Sequence, residues 1–201
     1  MSAYANTVIA RTHDLAAITG LVAVVVVMSP LPPMSLATMI IALLANQLGG
    51  IAPDIDQPTA PFWRNLPIGG LFGRFFGRML GGHRFLTHSL IGLALMGFLV
   101  HLLLAFLQPI MPSVQIDLVW WAFMIGMLSH LIMDSFTKEG VPWLLPIPVK
   151  FGFPPLRRLR ITTGKFTEKF VVLPLLLIVL VALCMLFYPE LLDLIHHRII
   201  N

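Results

Sequence analysis

Five apolar stretches divide this chain, and most of its ionisable side chains stand at their ends. The stretches run over about 15–28, 34–48, 86–107, 119–133 and 170–187. Hydrophobic residues make up 58% of the 201 and charged residues 11%, against roughly a quarter charged in soluble domains. Lipid is therefore the solvent this fold has to satisfy. A membrane-crossing helix needs ~20 apolar residues; the third and fifth stretches reach that length and the others are short. Ser29-Pro30-Leu31-Pro32-Pro33 parts the first two into a helical hairpin, because proline cannot continue a helix interior. Those two either extend through flanking polar residues or reach only part way. The expectation is an all-α integral membrane protein, one polytopic domain over 1–201. It has about five transmembrane or membrane-embedded helices, a last span near 170–187 and a solvated tail over 188–201. Cys184 is the single cysteine, so it forms no internal disulfide and reads as a packing residue. No small-residue cleavage pattern precedes Pro30, and a cleavable signal is not expected.

Charge placement orients the chain. If all five stretches cross, one face receives every Lys and Arg of the 13 except Arg198. An excess of basic residues marks the cytoplasmic side. The net charge of +4 is thereby absorbed by membrane orientation, and no nucleic-acid partner is expected. On the same face, 69–82 places Leu71, Phe72, Phe75 and Phe76 on one helical side and Arg74 and Arg78 on another. That pattern predicts an amphipathic helix in the headgroup region. The segment 141–160, rich in proline and aromatics and ending in Arg157-Arg158-Leu159-Arg160, reads as a solvated or lipid-facing basic patch.

The basic face also collects His13, Asp54, Asp56, His83, His88, His130, Asp134 and Glu168. A membrane protein keeps few ionisable groups near its spans, and those it keeps usually line a site or a pathway. His130 and Asp134 are four apart on a helix and share a face; such a pair serves a divalent metal or a buried hydrogen bond. Asp54 and Asp56 follow Gly49-Gly50-Ile51-Ala52-Pro53, where a helix must end. Two carboxylates so close call for a cation between them or stay solvated at a capped terminus. His83 and His88 flank the start of the third stretch, where Thr87 and Ser89 are candidate caps. Arg84 carries the bidentate fork suited to phosphate or carboxylate. Glu168 and His13 each precede a stretch, where a helix-dipole role competes with ligation. Four imidazoles and four carboxylates without a thiolate suit zinc, or manganese or iron. Eight ligands exceed one tetrahedral site, so more than one ion is plausible. His101, alone in the third stretch, reads as a packing or pore-lining residue. His196 and His197 lie with Asp193 on the other face and are left out of the site.

The strings Ala52-Pro53-Asp54-Ile55-Asp56, His83-Arg84-Phe85-Leu86-Thr87-His88-Ser89 and Leu128-Ser129-His130 with Asp134 resemble the signatures of the YdjM-like inner-membrane proteins. Gly140-Val141-Pro142, Pro146, Gly164 and Glu168 fit the same pattern, and the resemblance covers roughly 11–170. It implies a bacterial inner-membrane location and a membrane-bound metal-dependent hydrolase, an activity assigned to that family by inference. The chain departs from it at Phe85-Leu86, where the family typically has glycine then phenylalanine; the bulk of Phe85 bears on the turn between His83 and His88.

Three functions follow as expectations. The first is a hydrolase of an ester or phosphoester, small or lipid-derived, using metal-activated water at the cytoplasmic face. His13, Asp54, Asp56, His83, His88, His130, Asp134 and Glu168 form its ligand pool. Asp54 or Glu168 serves as base, and Arg84 neutralises developing negative charge. The second is an ion- or proton-coupled transporter, which requires polar residues continuing through mid-membrane, where only His101 is found. The third is a non-catalytic membrane protein whose metal holds loops together. Membrane lipids are the one partner expected throughout.

Overall fold

The computed structural model describes residues 3–29, 31–57, 63, 69–79, 85–147 and 149–200. Five long helices alternate in direction: α1 (Ala3–Val27), α2 (Leu36–Ile51), then after α3 (Gly69–Met79), α4 (Leu90–Leu107), α5 (Ile116–Ser135) and α6 (Leu173–Leu186). A short α7 (Tyr188–Asp193) follows. Four segments are long and apolar enough to cross a membrane: Leu36–Asp56, Leu90–Ile110, Ile116–Ser135 and Glu168–Leu186. The 25-residue α1 is the remaining long helix of the bundle. It begins well before the first apolar stretch and carries Arg11 to Asp14 inside the helix rather than ahead of it.

Each boundary has a local cause. Ser35 caps α2, its hydroxyl accepting from the Thr38 amide at 3.0 Å. The same hydroxyl donates to the Ser113 carbonyl at 2.7 Å, tying the α1–α2 hairpin to the α4–α5 loop. At this end the tail does not stay apart: Ile199–Ile200 pairs in parallel with Met34–Ser35. Pro53 ends α2 and opens a 3-10 turn over Ala52–Asp56. Ser89 caps α4 by accepting from the Gly92 amide at 3.0 Å. The last span opens on a π-helical turn, Glu168–Val172.

α5 is the central element, packed on α1, α2 and α4. Val119, Phe123, Met127 and Leu131 recur every fourth residue along it and pack with Ala45 of α2 and Leu104 of α4 in the apolar core. The crossing with α2 is unusually close. A Cβ on Gly49 would sit 2.1 Å from the Phe123 carbonyl oxygen, and one on Gly126 would sit 2.0 Å from that of Asn46. Small residues let helices approach to backbone contact in a membrane, and here the Asn46 amide donates across the seam to the Ala122 carbonyl at 3.0 Å. α6, by contrast, buries no side chain.

α3 is the amphipathic helix expected over 69–82, described here to Met79. Leu71, Arg74 and Phe75 are exposed, and the helix packs on the 52–56 turn. Trp63 joins the two, its indole N–H donating to the Ile55 carbonyl at 2.9 Å.

A candidate metal centre at one end of the bundle

The 3-10 turn after α2, a second 3-10 turn Leu86–His88 before α4, the final two turns of α5 and the middle of α1 meet at one end of the bundle. They bring His13, Asp54, Asp56, His88, His130 and Asp134 together. All are buried except Asp54, whose side chain is 25% exposed; it marks the side on which the cluster opens.

The ring orientations follow from the backbone. The close α2–α5 seam delivers the Gly50 carbonyl to His130, whose Nδ1 lies 2.6 Å from it. A carbonyl only accepts, so Nδ1 carries a hydrogen and Nε2 is the ring nitrogen turned to the cluster. That Nε2 has no hydrogen bond and faces Asp54 Oδ1 and Asp134 Oδ2, each at 3.7 Å. His88 Nε2 faces the same two oxygens, at 3.8 Å for Asp54 and 3.3 Å for Asp134. His13 stacks on His130, with centroids 4.0 Å apart and planes 17° off parallel, and its Nε2 lies 3.7 Å from Asp134 Oδ1. These separations are mostly too long for hydrogen bonds. They approximate the ~3.4 Å edge of a tetrahedron whose ligands stand ~2.1 Å from a zinc-sized ion. Two groups have ligand atoms all within 4.8 Å of one another, His13–His130–Asp134 and Asp54–His88–His130, sharing His130.

Asp56 stands behind the cluster. Its Oδ2 lies 3.4 Å from His88 Nδ1, on the far side of the ring from Asp54 and Asp134. The Thr87 hydroxyl donates to Asp56 Oδ2 at 2.5 Å. With its one proton so committed, it accepts from His88 Nδ1 at 3.0 Å. This is the carboxylate–histidine arrangement that orients metal-ligating imidazoles. It differs from the expectation that Asp56 ligates directly: the turn over 52–56 points Asp54 and Asp56 to opposite sides of the His88 ring. Thr87, a candidate cap by its position, does not cap α4. Ser89 takes that role, and Thr87 is a site residue whose signal is its place inside the histidine-bearing string.

His88 titrates far from the ordinary imidazole value. Burial works to lower its pKa, but the Asp134 and Asp56 carboxylates, 3.3 and 3.4 Å from its two ring nitrogens, outweigh it and push the value up to about 9. At neutral pH the ring therefore holds a proton at the position a cation would take.

The other expected residues fall elsewhere. Glu168 is buried, but its Oε2 accepts from the Gly164 amide at 2.6 Å, and it belongs to neither three-ligand group. This is the local helix-start role. His13 lies within α1 rather than before it, because the helix runs on past the apolar stretch. His83 and Arg84 lie outside the described residues. Phe85, the departure from the family pattern, is 45% exposed, so its bulk points away while His88 sits in the cluster. The buried ionisable groups among the described residues are His13, Asp56, His88, His130, Asp134 and Glu168, all toward this end. His101 is exposed rather than packed inside.

Comparison with known proteins agrees with this architecture. The family model described as YdjM inner membrane protein matches residues 9–191. The uncharacterized protein YvsG of Bacillus subtilis (strain 168) is 31% identical over 144 residues, which cover 72% of this chain and 76% of that protein. No solved structure matches. A multi-pass helical bundle, a His/Asp cluster fit to hold a metal ion, and a family match over nearly the whole chain lead to one assignment: the chain belongs to the YdjM inner membrane protein family.

Proposed function

We propose that this chain is a membrane-embedded, metal-dependent hydrolase of ester or phosphoester bonds, with lipid-derived substrates the best fit. The observation that carries the reading is His130: Nδ1 is spent on Gly50 at 2.6 Å, and an Nε2 without a hydrogen bond faces two carboxylates. Imidazole Nε2 atoms and carboxylates converging without thiolates suit zinc, with manganese or iron as alternatives. His88, His130, Asp54 and Asp134 form the ligand set, with His13 adjoining. Asp134 turns one oxygen to His13 and the other to His88 and His130, so both of its oxygens would be available to hold metal. Asp56 and Thr87 hold His88 in its ligating tautomer. A divalent ion bound there supplies Lewis acidity toward water and substrate.

Asp54, the partly exposed carboxylate, is the residue that meets an incoming substrate. It is placed to take a proton there when it is not a ligand, and Arg84 supplies positive charge to a phosphoryl or carboxyl group. The lipid preference rests on location. The cluster lies at the ends of spans, beside the amphipathic helix α3, which packs on the 52–56 turn. The excess of basic residues on that face supports a cytoplasmic orientation. A transport pathway draws less support, because the buried ionisable groups stop at one end. Away from that end the Asn46 amide donates to the Ala122 carbonyl and the Thr38 hydroxyl accepts from the Gln115 amide, so both side chains are committed to packing contacts.

The test is hydrolysis by purified protein. Aryl and lipid phosphoesters should be cleaved, with loss of activity on chelation, recovery on metal addition, and none in His88→Ala. A folded, metal-replete protein inactive on esters and phosphoesters alike would favour the third reading, a metal that only fixes loops.

A further inference from the structure

Between the end of α5 at Ser135 and the π-helical turn at Glu168 the chain forms an irregular strap that includes the 3-10 turn Arg157–Leu159. The metal chemistry proposed above makes no use of its side chains. Backbone hydrogen bonds hold the strap against the ends of two candidate spans. The Phe153 amide donates at 2.8 Å to the carbonyl of Ser135, the last residue of one span. The amide of Leu90, the first residue of another, donates to the Trp143 carbonyl at 3.0 Å. The Ile161 amide donates to the Phe136 carbonyl at 3.0 Å. The strap therefore lies at the level where the spans end.

Its surface combines bare apolar side chains with bare positive charge. Phe153 is 62% exposed, and Leu156 and Leu159 are each 67% exposed. The Leu159 amide donates to the Leu156 carbonyl at 3.0 Å. Positions three apart nearly eclipse in a 3-10 turn, which brings the two leucines to one side. Arg157 and Arg158 stand between them in sequence, both exposed. From 138 to 169 seven Lys or Arg stand against two acids, Glu139 and Glu168, and Glu168 is buried on the Gly164 amide.

The arginines are not equivalent. Arg160 is structural: its Nε donates to the Pro154 carbonyl at 2.7 Å and its Nη2 to the Pro155 carbonyl at 3.1 Å. Arg157 spends Nε on the Lys138 carbonyl at 3.0 Å. Arg158 and the exposed Lys150 have no side-chain hydrogen bond or ion pair among the described residues.

We propose that the strap docks on the leaflet at the His/Asp end of the bundle and there binds the phosphate of an anionic phospholipid that carries no headgroup amine. Phe153, Leu156 and Leu159 enter the acyl boundary, as the apolar side of an interfacial segment does. Arg158 and the remaining nitrogens of Arg157 donate to the phosphate oxygens, for which the guanidinium fork is suited. Charge complementarity selects the lipid. Phosphatidylglycerol keeps its full negative charge, whereas the ammonium of a choline or ethanolamine lipid meets the same cluster of positive charges. A soluble acidic partner would answer the charge equally, but the apolar side chains stand at the level of the span ends, where lipid already is.

The experiment uses the full-length protein in vesicles of palmitoyl-oleoyl phosphatidylcholine, alone or mixed equally with the phosphatidylglycerol of the same chains. A spin label on Leu159→Cys, in a Cys184→Ser background, reports depth through relaxation by oxygen and by a water-soluble nickel chelate. In the mixture oxygen should dominate, and Arg157→Gln with Arg158→Gln should move the label outward to its position in phosphatidylcholine alone. Native mass spectrometry of the purified protein, titrated with each lipid, should show tighter retention of phosphatidylglycerol. Arg158→Gln should cut that retention about fivefold and leave phosphatidylcholine unchanged. Arg158 has no bond to lose, so this variant, with Lys150→Gln beside it, decides the matter should the double variant fail to fold. None of these substitutions touches the proposed metal ligands, so the outcome is independent of the hydrolase reading. A label in water in both membranes overturns the proposal and turns the patch toward a soluble acidic partner. Equal retention of the two lipids by wild type, or undiminished phosphatidylglycerol retention in the variants, overturns it as well.

Discussion

α5 and α6 are both long enough to cross a membrane, yet they do opposite things with their side chains. α6 belongs to the most apolar of the four candidate spans and buries nothing; the span of α5 is among the less apolar and the most buried. α5 places Val119 through Asp134 against its neighbours. In water that order would be surprising. In a bilayer it is expected, since lipid tails are as apolar as leucine and greasiness supplies no force between helices. What draws helices inward is close packing and polar groups that lipid cannot satisfy. The less apolar helix is the one that carries the seam glycine Gly126 and two of the site residues, His130 and Asp134, and the more apolar one is its lipid-facing border.

The sharpest way to break this contrast is one substitution on each helix. Gly126→Ala drives a Cβ to 2.0 Å from the Asn46 carbonyl oxygen. It should destabilise the bundle by roughly 1–3 kcal/mol or more and displace Gly50 from His130, with loss of metal. Ile178→Ala on α6, at a 64% exposed position, should stay within about 0.5 kcal/mol. Thermal unfolding in detergent, read beside metal content, checks both. An equal cost at the two positions would contradict the division of labour between the helices.

Thr87→Val tests the orienting layer behind His88 while leaving the ligand pool intact. It removes the hydroxyl that links Nδ1 to Asp56, and metal affinity should fall roughly 10- to 100-fold with the fold unchanged. A competition titration with a chromophoric chelator measures this, and unaltered affinity would leave Thr87 a bystander.

The raised pKa of His88, about 9, gives a pH dependence with a definite sign. Metal must displace the His88 proton, so apparent affinity should climb about tenfold per pH unit above neutrality and level off near 9. Without metal the sign reverses. A histidine whose folded pKa lies above its unfolded value of 6.5 contributes stability fully below that value. The contribution is lost as pH rises through about 9. Chelated protein should therefore unfold more easily at pH 10 than at pH 7, and metal-loaded protein should not. The smallest effect is expected at Glu168→Gln. It weakens one hydrogen bond, to the Gly164 amide, and should cost about 1 kcal/mol without changing bound metal.

Much of the architecture is legible in the amino-acid sequence. Helices in lipid must satisfy their own backbone, so apolar stretches with polar ends leave few alternatives, and the family strings name most of the cluster. The unreadable parts depend on where turns point. Asp54 and Asp56 are alike in sequence, and only the 3-10 turn sends them to opposite sides of His88. Thr87 and Ser89 are equal candidates for capping until Ser89 takes the Gly92 amide. Arg11 to Asp14 look like a break ahead of a span, because only the third dimension shows His13 stacking on His130. Gly49-Gly50 read as a helix end, although they also form the contact surface that carries Gly50 to His130.

The measurement that bears most directly on the account is metal content by inductively coupled plasma mass spectrometry on detergent-purified protein, with His130→Ala and Glu168→Gln alongside. Wild type and Glu168→Gln should carry at least one equivalent of zinc, manganese or iron, and folded His130→Ala should carry almost none. Folded wild type that binds no metal even after reconstitution, or a His130→Ala variant that keeps its full complement, would contradict the claim that these buried histidines and carboxylates are assembled around an ion.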